Sequence, residues 1–132
     1  MRSSFIWLLR DARLWQIALA CYWVALFVGT HLPLERVPQL EKMVDKWAHA
    51  FAFAVLAGLF ATTWELSAGR LNARHLMRVW FILALYGAFE EATQPFVGRY
   101  ASVWDWLADV VGAALGLLLF VWARRRIARD FG

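Results

Sequence analysis

Between Gly87 and Gly116 an apolar run, GAFEEATQPFVGRYASVWDWLADVVGAALG, carries Glu90, Glu91, Gln94, Arg99, Asp105 and Asp109. Carboxylates in apolar surroundings suit two kinds of chemistry. Where several share a site of low polarity, one holds a proton while another stays ionised, the division of labour that acid–base catalysis requires. On that basis Glu91, Asp105, Glu90, His49 and Asp109 are the catalytic candidates. Where carboxylates surround a cation they act as hard oxygen ligands, better suited to Mg²⁺, Mn²⁺ or Ca²⁺ than to zinc. Glu90, Glu91, Asp105 and Asp109 are the candidates for such a site. The chain has no His-x-x-x-His pair, no cysteine placed as a ligand and no serine nucleophile motif, so any chemistry rests on the acids.

The elements that position these groups follow from composition. Of the 132 residues, 62% are hydrophobic and the mean hydropathy is +0.51, too apolar for one small soluble domain. Nine Trp, ten Phe and three Tyr fit a membrane protein, since amphipathic aromatics gather where hydrocarbon meets headgroups. A charged side chain at the bilayer centre costs roughly 2.5–3.5 kcal/mol on insertion scales. The acids are therefore expected to face a protein interior or a wet cavity. The net charge of +4 does not indicate nucleic acid, because the basic residues flank apolar segments, where topology and anionic lipid account for them. The single Cys21 forms no intramolecular disulfide. The -Leu19-Ala20-Cys21- stretch does not make a lipoprotein cleavage box, because the apolar run continues past it, and it reads as a retained helix.

The expected architecture is all-α and polytopic, one domain over residues 1–132, with spans near 14–30, 47–64, 77–96 and 103–122. Phe5 to Leu9, bracketed by Arg2, Arg10 and Arg13, is too short to span and suits the membrane surface. His31–Asp45, with Pro33 and Pro38, and the polar Glu65–Arg78 read as loops. Ten of the fourteen basic residues fall in the N-terminal segment, the 70–78 stretch and the C-terminal tail. By the positive-inside rule both termini are then cytoplasmic. Trp15, Trp64, Trp80 and Trp122 would mark the inner interface, and Trp47, Trp104 and Trp106 the outer.

This topology brings Asp45, Lys46, His49, Glu90, Glu91, Gln94, Arg99, Asp105 and Asp109 to the outer side. At about 1.5 Å rise per residue, Glu90 and Asp109 both lie ~9 Å below that boundary. Helical periodicity places Ala84, Gly87, Glu91 and Gln94 on one stripe and Asp105, Asp109, Gly112 and Gly116 on another. Gly112 and Gly116 have the small-xxx-small spacing of closely packed membrane helices. Glu90 sits about 100° from Glu91 on a helix, so both are interior only if that helix is largely surrounded, and one of them is then structural. Asp45 and Lys46 read as a helix start, and Arg99 either neutralises the acids or binds substrate. The five carboxylates exceed the cations Lys46, Arg99 and His49, and an excess of interior negative charge calls for protons, a metal or a cationic ligand.

Three motifs resemble the VanZ-like membrane proteins, named after an accessory protein of glycopeptide (teicoplanin) resistance. They are Asp45-Lys46-x-x-His49 followed by Phe53, Glu90-Glu91-x-x-Gln94-x-Phe96 followed by Arg99, and Ser102-x-x-Asp105 followed by Asp109, Gly112 and Gly116. The chain departs from the family pattern at Asp109, where asparagine is more frequent, and so gains a carboxylate. The resemblance implies a small multi-helix envelope protein. Accessible ligands on the outer side are membrane phospholipid, a lipid-linked sugar or a glycopeptide, with Asp45, Lys46, Gln94, Arg99 and Ser102 as binding residues. A proton or cation relay and a structural scaffold are the competing classes. Oligomeric state is not legible in the sequence.

Overall fold

The computed structural model describes residues 11–32 and 39–130, so the segment Phe5 to Leu9 lies outside the described residues. Four α-helices follow in order: α1 (Ala12–His31), α2 (Gln39–Ala68), α3 (Ala73–Thr93) and α4 (Val103–Asp130), with a 3-10 turn (Gln94–Val97) after α3. No strand occurs among the described residues. Polar caps mark where α1, α3 and α4 begin. The Asp11 side chain accepts from Arg13 N at 2.9 Å, Asn72 Oδ1 accepts from His75 N at 3.0 Å, and Ser102 Oγ accepts from Asp105 N at 3.3 Å. Each satisfies a backbone N–H that has no partner within its own helix.

The helices run up, down, up and down. Tyr22 donates to the Ala52 carbonyl at 3.0 Å and Thr63 to that of Trp15 at 3.2 Å, which sets α1 antiparallel to α2. Lys46 meets Asp105 and Glu65 meets Arg124, which sets α2 parallel to α4. These two diagonal helices touch because α4 presents glycine to α2. A β-carbon at Gly112 would stand 2.0 Å from Ala50 O, and one at Gly116 would stand 2.2 Å from Ala54 O. The small-xxx-small pair is therefore a packing seam, as its spacing implies, and its partner is the Ala50/Ala54 face of α2.

Phe53, Leu56, Ala57, Ala61, Val79, Leu83, Ala113 and Leu117 fill the interior. The outside is at least as apolar: Ile17, Val24, Val28, Phe81, Leu85, Phe89, Val111, Leu115, Leu118 and Leu119 are all exposed. Acids within and aliphatics without is the arrangement of a bundle solvated by lipid. Three helices are long and apolar enough to cross a membrane: α1, the Met43–Ala68 part of α2, and the Val103–Arg129 part of α4. The fourth, α3, carries Arg74 and Arg78 at one end and Glu90 and Glu91 at the other.

Several boundaries differ from those read in the sequence. The second helix begins at Gln39 and ends at Ala68 rather than spanning 47–64, and the fourth runs on to Asp130 rather than stopping at 122. Hydropathy marks where a helix meets lipid, and the backbone stays helical through the polar turns beyond. Asp45 and Lys46 are thus inside α2 and not at its start. Only residues 69–72 separate α2 from α3, so most of the expected Glu65–Arg78 loop is helical. Trp80 and Trp106 are half-buried, and their indole N–H groups donate to Val110 O at 3.1 Å and Ala84 O at 2.9 Å. They tie α3 to α4 rather than serving only as interface markers.

Candidate functional site

The polar groups singled out in the sequence gather at the end of the bundle formed by the C-termini of α1 and α3 and the N-terminal parts of α2 and α4. Local chemistry builds that end. Pro95 and the left-handed Gly98 (φ 78°) turn the chain after α3, a conformation a β-carbon would oppose. Arg99 N returns to Gln94 O at 3.2 Å. The turn brings Ser102 N to 2.5 Å from Glu91 Oε2, so Glu91 holds the α3–α4 connection from within.

At the rim, Lys46 Nζ donates to Asp105 Oδ1 at 3.0 Å, and the Arg99 guanidinium lies 3.8 Å from Asp45 Oδ2 while also donating to Leu32 O at 3.3 Å. Arg99 therefore neutralises an acid and pins the turn against α1. Deeper in, His49 Nδ1 and Asp109 Oδ1 are 2.9 Å apart, with side chains 5% and 0% exposed. Glu90 faces elsewhere: it is fully buried and accepts from the Tyr86 hydroxyl one turn back. Both glutamates are interior because α3 is covered on two sides. The Glu90 side meets α1, where Thr93 Oγ1 and His31 Nε2 are 2.8 Å apart, and the Glu91 side meets α4.

Two sets of possible metal ligands have their atoms within 4.8 Å of one another: Asp45, His49 and Asp105, and His49, Glu91 and Asp109. His49 belongs to both, and Glu90 to neither. The four carboxylates considered from sequence thus do not form one group, and the histidine takes Glu90's place. Glu91 Oε1, Asp109 Oδ2 and the Gln94 amide nitrogen are buried with no hydrogen-bond partner among the described residues, as are Glu90 Oε2 outside the cluster and Arg124 Nε at the far end of the bundle. A buried polar group in that condition ordinarily costs about 1–3 kcal/mol.

Beside this cluster an open cleft of about 330 Å³ runs between α1 and α2. Its wall is apolar or small along Tyr22, Ala25, Leu26, Gly29, Ala48 and Ala52 and charged at the end, where Asp45, His49 and Arg99 meet Thr30. The family comparison agrees with the motifs that build this site. Residues 4–124 match the profile of the family described as VanZ/LLP1. The chain belongs to the VanZ/LLP1 family. No curated protein and no solved structure matches it.

In this VanZ/LLP1 protein the sequence reading missed what α1 supplies. Thr30 is 8% exposed and lines the cleft, and His31 stacks on Phe27 with ring centroids 4.0 Å apart. Neither shows in a hydropathy reading, because they are two polar residues at a helix end, where polarity is ordinary. Gly87 was also missed as a site residue. A β-carbon there would come to 3.1 Å from Asp109 Oδ2, so the glycine makes room for the acid. At the far end of the bundle Arg124, read from sequence as a topology determinant, bonds Glu65 Oε2 at 2.9 Å and Leu71 O at 3.1 Å and closes the α2–α3 connection.

Proposed function

We propose that this VanZ-type membrane protein binds or acts on an envelope amphiphile, a phospholipid, a lipid-linked sugar or a glycopeptide held at the membrane. The amphiphile enters sideways into the cleft between α1 and α2. One observation carries the reading: the cleft wall changes along its length from small and apolar side chains to Asp45, His49 and Arg99. That gradient matches a molecule with an apolar body and a polar head, and the volume lies at the low end of roughly 300–1,000 Å³ for ligand pockets. In this reading all four helices span the bacterial cytoplasmic membrane. Both termini face the cytoplasm and the cleft opens to the outer leaflet, on the strength of the ten-to-four division of basic residues.

The ion pairs at the rim favour a scaffold role for part of the cluster. Lys46–Asp105 and Arg99–Asp45 fix α2 against α4 and the turn. The unpartnered oxygens of Glu91 and Asp109, grouped with His49, favour a binding role for the remainder.

The test uses Gly29, which lines the cleft and has open space where a side chain would go. Native mass spectrometry of the wild-type protein from mild detergent is expected to show a retained lipid or lipid-linked species. Gly29→Phe is expected to lose that species without a change in melting temperature. Equal retention in both proteins would exclude the cleft as the binding site.

A further inference from the structure

We propose that His49, Glu91 and Asp109 bind a divalent metal ion, one ligand from each of α2, α3 and α4. The proposal identifies what the polar end of the cleft contains, and to that extent it rests on reading the cleft as the functional site. The three ligand atoms lie within 4.8 Å of one another, and the residues are 6%, 7% and 0% exposed.

The second observation is independent of the clustering. Each carboxylate spends one oxygen inside the protein, Glu91 Oε2 on Ser102 N and Asp109 Oδ1 on His49 Nδ1. The other oxygen of each, Glu91 Oε1 and Asp109 Oδ2, is buried and without a partner among the described residues. Groups this deep are satisfied in nearly all folded proteins, so each exception calls for an occupant.

A side-chain cation, a proton, a water molecule and a metal ion are the candidate occupants, and water can donate to these oxygens but leaves their charge uncancelled. Among the described residues no side-chain cation reaches these oxygens: Lys46 is engaged with Asp105 and Arg99 with Asp45 and the Leu32 carbonyl. A proton does not resolve the problem either. Glu91 and Asp109 together carry two negative charges, which one proton halves and one divalent ion balances. A metal ion held by Glu91, Asp109 and His49, the His49 Nδ1–Asp109 Oδ1 hydrogen bond being given up to coordination, supplies both carboxylates with a partner and cancels the charge that His49 alone cannot. Gly87 supports this arrangement, since a side chain there would crowd Asp109 Oδ2.

The donor set also indicates the class of ion. One imidazole nitrogen with two carboxylate oxygens favours Mn²⁺ or Zn²⁺ over the all-oxygen preference of Ca²⁺. Three protein ligands leave coordination positions open for water or for an anionic oxygen of a ligand. His49 also lines the cleft, so those positions lie at the cleft's polar end. A phosphate or carboxylate head would otherwise meet a cluster rich in negative charge.

The experiment uses the full chain in mild detergent, stripped with EDTA, desalted, and titrated with MnCl₂ or ZnCl₂ alone. Bound Mn²⁺ is read from the loss of its aqueous electron paramagnetic resonance signal, and bound Zn²⁺ by elemental analysis after gel filtration. A single ion per chain is expected, with a rise in melting temperature on metal addition. Glu91→Gln and Asp109→Asn are expected to weaken binding by more than about tenfold, since even outer-shell partners of a metal are worth roughly 10–100-fold. Glu90→Gln is expected to bind as the wild type does. Should Asp109→Asn fail to accumulate, Glu91→Gln decides the matter, because it keeps the oxygen that accepts from Ser102.

Binding of neither ion by the wild type, or undiminished binding by Glu91→Gln, overturns the proposal. The metal readout involves no lipid and the Gly29→Phe readout involves no metal, so failure of one is distinguishable from failure of the other.

Discussion

Gly112 lies directly on the carbonyl of Ala50, so close that a β-carbon at Gly112 would stand 2.0 Å from the oxygen. The obstacle is backbone and cannot swing aside, so Gly112→Ala must push α4 away from α2. The same movement would separate His49 from Asp109, their 2.9 Å contact lying one turn away. A loss of about 1–3 kcal/mol is expected, the usual cost of overpacking, and Gly116→Leu should behave at least as badly. Thermal unfolding in detergent checks this, and an unchanged midpoint would mean that α4 does not seat on α2.

Gly87 offers a gentler version of the experiment. A methyl group there would press on Asp109 Oδ2 from 3.1 Å and on Phe53 from 3.4 Å, distances that a shift of a few tenths of an ångström relieves. Gly87→Ala is therefore expected to disturb the polar site more than the bundle. Folding stability should fall by no more than about 1–3 kcal/mol, while Mn²⁺ or Zn²⁺ affinity falls measurably. Equal affinity in the variant and the wild type would remove Gly87 from the site.

The acids separate into those whose loss costs structure and those whose loss costs function. Asp105 pairs with a Lys46 side chain that is 39% exposed, and such pairs contribute only about 0–1 kcal/mol. Asp105→Asn should therefore accumulate normally, as should Glu91→Gln, and on the proposed function Glu91→Gln loses the retained envelope amphiphile and any phenotype that depends on it, whereas Asp105→Asn does so only if the acid serves the ligand as well as Lys46. Asp109→Ala is different, because it strips His49 of its partner in a fully buried position and should cost about 3–5 kcal/mol. Glu90→Gln keeps an acceptor for Tyr86 and should leave the phenotype intact. Immunoblots of membrane fractions alongside the phenotype distinguish these outcomes. A normal phenotype in Glu91→Gln and Asp105→Asn at normal abundance would leave the acids without a functional role.

Topology is testable without purification. Reporter fusions after Arg70 and after Gly132 should be cytoplasmic and one at Leu40 external, from the distribution of Lys and Arg. An external Arg70 would turn the acidic end of the bundle to the cytoplasm and remove outer-leaflet molecules from the candidate ligands.

Much of this protein was legible in its sequence because the membrane imposes a simple rule: apolar segments face lipid and charge needs a protein interior. The four helices, their order and the burial of Glu91, Asp105, Asp109 and His49 all follow from that rule, and the VanZ/LLP1 motifs coincide with it. Helix ends do not follow from it. Gln39–Lys46 and the stretch from Arg124 to Asp130 remain helical although polar, since backbone hydrogen bonds continue outside the apolar zone.

Pairing was decided only by the tertiary structure, because periodicity names a face and not what meets it. The spacing of Gly112 and Gly116 announced a close helix contact, but only the packed bundle shows that the contact is with Ala50 and Ala54 of α2. Glu90 and Glu91 are adjacent and chemically identical in sequence. They have different surroundings because α1 covers one side of α3 and α4 the other, turning Glu90 to Tyr86 and Glu91 to Ser102 and His49. A one-residue step rotates a side chain by about 100° around a helix, and in this bundle that rotation separates a structural acid from one in the candidate site.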